Sequence, residues 1–88
     1  MNEEYIMVGR VCMSRAGRDK GRPFVVVGRL DEKHVLLADG DLRLLQKPKK
    51  KKLMHLAVVN DRLDADEYAS NAAIRKALVK RGYTGCKG

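Results

Sequence analysis

The sequence predicts a mainly β domain, five short strands arranged as a small barrel or sandwich, followed by one C-terminal helix. Three observations carry that prediction. Short apolar, β-branched runs recur at close spacing through the first two-thirds of the chain, divided by Gly, Asp and Pro turn signals. From Asp64 onward the composition changes to helix formers. A chain of 88 residues with 44% hydrophobic residues has room for one modest core.

The first strand is expected over Ile6 to Ser14, with Val8, Val11 and Met13 apolar and Gly9 marking a bend or bulge. Arg15 to Arg22 (RAGRDKGR) reads as a loop punctuated by Gly17 and Gly21 and closed by Pro23. Phe24 to Leu30 (FVVVGRL) is apolar almost without interruption, as a central, well-buried strand requires. Asp31-Glu32 reverses the chain into His34 to Ala38, and Asp39-Gly40 makes a second turn. Leu42 to Leu45 is expected as a short fourth strand, and Leu53 to Val59 as the fifth. The intervening Gln46 to Lys52 (QKPKKKK) reads as an exposed loop, because five lysines and a proline cannot enter a core. Asp64 and Glu67 resemble a capping box opening a helix over Ala65 to Arg81, with Gly82 as its C′ residue. Its apolar face is expected to combine Tyr68, the alanines at 69, 72, 73 and 77, Ile74, Leu78 and Val79. The division is therefore residues 1–60 as the β domain and 61–88 as helix and tail, packed on it.

Charge narrows the function. Lys and Arg number 19 against 11 Asp and Glu, a net charge of +8 at pH 7. So basic a small domain favours a polyanionic partner, since each phosphate neutralised releases condensed counterions. No apolar run approaches the length of a spanning helix and no secretory signal pattern opens the sequence, so a cytoplasmic nucleic-acid partner is expected and a membrane is not. Cys12 lies in a strand-like run and Cys86 in a Gly-rich tail, which fits reduced thiols. With His34 and His55 they form no C-x-x-C or H-x-x-x-H pair, so neither metal nor cofactor is expected.

Two basic segments are the candidate site. The first places Arg15, Arg18, Lys20 and Arg22 around Gly17 and Gly21, where loop N–H groups can join guanidinium groups on phosphate oxygens. The second supplies Lys47, Lys49, Lys50, Lys51 and Lys52, point charges suited to phosphates and poor at reading bases. The first is expected to contribute more to binding than the second. Aromatic platforms for stacking single strands are scarce: there is no Trp, and the aromatics are Tyr5, Phe24, Tyr68 and Tyr83, of which Phe24 is expected in the core. Structured RNA, read through its backbone, fits better. Asp39 and Asp41 flank a turn, but no nucleophile, metal motif or phosphate loop accompanies them, so neither an enzyme nor a small-molecule substrate is expected.

The stretch VGRVCMSRAGRDKGRPFVVVGRLDEKHVLLADG resembles the KOW motif: a strand, a basic loop with two glycines, and a second strand of alternating apolar residues. With the later LMHL, the resemblance over Val8 to Val58 extends to the large-subunit ribosomal protein family fourteen-e of archaea and eukaryotes and its small bacterial relatives. It implies an SH3-like barrel that binds RNA, above all ribosomal RNA of the large subunit. It also implies that Gly17 and Gly21 are the loop glycines and that Arg15, Arg18, Lys20 and Arg22 are the basic contacts. Pro23-Phe24 departs from the family, where many members carry a further glycine. The alternative is an SH3-like protein-interaction adaptor of the translation or transcription machinery, distinguished by partners that survive nuclease treatment.

Overall fold

The computed structural model describes residues 8–15, 17–18 and 20–83. Five strands, β1 (Arg10–Ser14), β2 (Pro23–Arg29), β3 (His34–Ala38), β4 (Lys49–Lys52) and β5 (Leu56–Arg62), precede one helix, α1 (Asn71–Lys80). All pairings are antiparallel, in the order β4-β3-β2-β1-β5. This is the mainly β, five-stranded architecture with a C-terminal helix that the sequence predicts. Of the expected first strand, residues 6 and 7 lie outside the described residues, and Val8 and Gly9 form a turn before β1 rather than part of it.

Period-two alternation explains why β2 is apolar without a break. Phe24 and Val26 join Cys12, Val35, Leu37 and Leu56 in a cluster on the inner face of the curled sheet. Val25 points the other way and joins Val11, Ala38 and Leu63 beneath Ile74, Ala77 and Leu78 of the helix. The sheet is thus buried on both faces at its centre. The hydrogen-bonded ladder is not closed, and β4 and β5 are its edges. A 3-10 turn, Leu53–His55, links them instead. Leu53 N–H donates to the Lys33 carbonyl at 2.8 Å, and the His55 carbonyl accepts from Arg15 N–H at 2.8 Å.

Three expectations between β3 and β5 are corrected. Leu42 to Leu45 is not a strand, because its polar backbone is satisfied locally. The Asp39 carboxylate accepts from the N–H groups of Asp41 and Arg43, both at 2.9 Å, and Leu45 N–H donates to the Asn71 side chain at 2.8 Å. The fourth strand is the lysine run itself. Lys49, Lys50, Lys51 and Lys52 pair with Leu37, Leu36, Val35 and His34. A strand at the sheet edge needs only its backbone to pair, and lysines are well tolerated there because they repel other edges. The fifth strand starts three residues later than expected, at Leu56, since Leu53 to His55 form the turn.

The helical region is also divided. Residues Ala65–Tyr68 form a 3-10 turn, with Asp64 N–H donating to Glu67 at 2.9 Å. That bond and the Arg81 guanidinium hold the Glu67 carboxyl below its ordinary value. The α-helix begins afresh at Asn71 because Ser70 is extended and its hydroxyl accepts from Ala73 N–H at 3.1 Å. Ile74, Ala77 and Leu78 are its buried residues. Ala69, Ala72 and Val79 face solvent, narrowing the expected apolar face. At the other end Tyr83 N–H reaches the Leu78 carbonyl and Gly82 N–H that of Val79, at 2.7 and 3.0 Å, a Schellman closure with Gly82 at φ +91°. Arg81 bonds to Asp61 and Glu67, and the Tyr83 hydroxyl donates to Asp61 at 3.1 Å, fastening this end to β5.

Candidate nucleic-acid interface

The β1–β2 loop is stapled at its base and open at its tip. Ser14 N–H donates to the Arg22 carbonyl at 3.1 Å, Gly21 N–H to that of Ser14 at 2.8 Å, and Lys20 N–H to that of Gly17 at 3.2 Å. Gly17 and Gly21 have φ of +78° and +86°. Arg15, Gly17, Arg18, Lys20 and Gly21 are all exposed.

Arg22 has a different setting. Its guanidinium lies 3.1 Å from Asp39 and 3.9 Å from Asp41, with 16% of the side chain accessible. Asp39 is 5% exposed and accepts three bonds, from Arg22 and the two turn N–H groups. The carboxylate pair of the sequence is therefore split: Asp39 organises the turn and Asp41 is exposed. Arg22 Nε is buried without a partner among the described residues.

The lysine strand meets the loop along one of its faces. Lys49 and Lys51 lie opposite Leu37 and Val35, residues of the inner cluster, and are partly buried. A Cβ at Gly17 would sit 3.8 Å from Lys51 Nζ, so the strand and the loop tip form one basic surface. Lys50 and Lys52 alternate to the other face and are exposed. Lys47 is exposed in the turn before β4, its N–H donating to the Leu44 carbonyl at 3.0 Å. The nine cations of the two segments thus separate into the exposed Arg15, Arg18 and Lys20 of the loop, Lys49 and Lys51 on the inner face of β4 with Lys51 beside Gly17, an outward pair on β4, Lys47 at its approach and Arg22 in an internal ion pair.

The helix adds cations that the two basic segments do not include. Lys76 and Lys80 are exposed and one turn apart. Their spacing, opposite Ile74 and Ala77, was the available signal. Several arginines by contrast serve the fold. Arg29 donates to the carbonyls of Asp31 and Glu32 at 3.1 and 3.2 Å, Arg75 to that of Gly40, and Arg81 to two carboxylates. Exposed positive charge is consequently rich in lysine, which positions a backbone more readily than it reads bases.

No family model matches the chain. Large ribosomal subunit protein eL14 of Hyperthermus butylicus is 30% identical over 77 residues, 88% of this chain and 79% of the relative. The chain belongs to the eL14 family. The eL14 proteins of Aeropyrum pernix and Staphylothermus marinus are each 29% identical over 79 residues, 90% of this chain and 79% and 82% of theirs. Likeness to eL14 therefore runs beyond the segment Val8 to Val58 on which the sequence resemblance rests.

Proposed function

We propose that this chain is a ribosomal-RNA-binding component of the large ribosomal subunit, located with it in the cytoplasm and without a catalytic role. The observation that carries the reading is the approach of Lys51 Nζ to the Gly17 turn, which joins two basic segments into one cationic surface. Membership of the eL14 family supports the ribosomal setting. Arg15, Arg18, Lys20, Lys49 and Lys51 contact phosphates from that surface, while the exposed loop backbone at Gly17 and Gly21 lets a phosphate come close. Lys47, Lys50 and Lys52 extend the contact along β4. Arg22 acts at one remove, by holding the base of the loop against Asp39.

Binding of a structured ribosomal RNA fragment, followed by fluorescence anisotropy across a salt series, tests this. The variant Arg15→Ala/Arg18→Ala/Lys20→Ala is expected to lower affinity at least tenfold. It should also reduce the slope of log K against log salt by about 2–3, one increment for each phosphate that is no longer neutralised. An unchanged slope sinks the assignment of the loop. Replacing the lysines is expected to produce a smaller loss.

A further inference from the structure

We infer that β4 grips RNA from both of its faces, Lys50 and Lys52 holding the backbone of a second strand on the outer face of the sheet. This rests on the RNA-binding reading above and specifies the partner: a folded RNA in which two backbones pass on either side of one protein edge.

Four features carry it. Side chains of a strand alternate, and accessibility along Lys49–Lys52 alternates with them, partly buried then exposed. The register fixes which face is which: Lys49 and Lys51 stand beside Leu37 and Val35 of the inner cluster, Lys50 and Lys52 beside Leu36 and His34. The helix covers the outer face over Val11, Val25 and Ala38, while Lys50 and Lys52 remain exposed. Finally, β4 is an edge, so nothing in the sheet lies beyond it.

Residues two apart on a strand are separated by about 7 Å, close to the spacing of successive phosphates along one nucleic-acid strand. The outer row therefore offers two point charges in phosphate register, on a backbone fixed by pairing rather than on a loose loop. His34, beside Lys52, extends the row, and Asp31, turned to His34 Nδ1 at 3.0 Å, is the carboxylate bonded within it. An RNA strand against Lys51 and the Gly17 turn cannot also reach Lys50 and Lys52 without crossing the edge.

Charge-matched variants separate this arrangement from a diffuse field. Lys50→Ser/Lys52→Ser and Lys49→Ser/Lys51→Ser each remove two charges, one pair per face. Binding is measured to a three-way-junction RNA and to a single-stranded oligouridine. The outer pair is expected to lose several-fold affinity on the junction, with a salt slope smaller by about 1.5–2, and to lower oligouridine binding distinctly less than the inner pair does. The inner pair is expected to lower both, and Lys50→Arg/Lys52→Arg to restore junction binding. Equal losses from the two pairs on both RNAs would overturn the proposal. So would wild-type junction affinity in the outer pair accompanied by self-association on sedimentation, which makes those lysines only a guard on a free edge. If the wild-type chain binds neither RNA, the RNA-binding reading fails first and the two-faced grip with it.

Discussion

Asp39 illustrates how one side chain decides a region. It is 5% exposed, yet it joins Arg22 at the start of β2 to the turn that follows β3. Asp39→Asn is expected to keep the turn bonds and strand a mostly buried guanidinium, lowering stability by about 3 kcal/mol in urea unfolding. Arg22→Met combined with Asp39→Asn should recover part of that loss. Gly40 beside it is equally constrained: φ is +78°, and a Cβ would lie 2.3 Å from the Asn71 carbonyl oxygen. Cys12 makes a separate prediction. Burial pushes its thiol up to about 11 from 9.0, against the smaller opposing pull of Arg10. The unfolded chain therefore releases this proton first, so the stabilisation is complete below pH 9 and is lost as pH rises towards 11. The loss is about 2–3 kcal/mol at most. Denaturant midpoints measured between about pH 8 and pH 11 should fall more steeply in wild type than in Cys12→Ala.

At the scale of elements, β2 and β3 were legible because their apolar runs and the turn chemistry between them agree. Phe24 and Val35 are core residues, and Asp31 turns the hairpin by accepting from Lys33 and His34 N–H at 2.8 Å each. β4 was not legible, since no local property of four lysines favours a strand. Pairing with β3 imposes it, and pairing is a property of two segments at once. Leu42 to Leu45 misled for the converse reason: apolar residues sat where side-chain acceptors from Asp39 and Asn71 had already taken the N–H groups. The helix start was displaced because Asp64 and Ser70 both can cap, and only the second opens a true α-helix. Gly82→Ala is expected to cost about 1–2 kcal/mol through its left-handed conformation. Ser70→Ala should cost about 1 kcal/mol, with faster amide exchange confined to the first turn of α1.

For the whole molecule, the distribution of charge was only partly readable. The excess of cations was plain, but a sequence does not say which of them answer to acids of the same chain. Arg22 reads like the other loop arginines until Asp39 is seen beside it, 17 positions away. The union of loop and lysine run likewise depends on a strand that brings Lys51 to Gly17. What the molecule presents is a sheet closed on one side by its helix, with much of its exposed cation as lysine.

The strand order has a consequence in time. β1 to β4 pair each with the next, so a chain leaving its synthetic machinery can build this meander as each strand appears. β5 must instead travel back to β1, setting Val58 opposite Cys12, and α1 can settle only afterwards over Val11 and Val25. Long loops close late because their entropy is lost before their contacts form. Val58→Ala and Ile74→Ala are therefore expected to accelerate unfolding and leave the refolding rate nearly unchanged, whereas Val35→Ala should slow refolding. Stopped-flow chevrons on the three variants would read that order directly. The basic loop, lying between β1 and β2, would then be shaped before the rest of the chain has arrived.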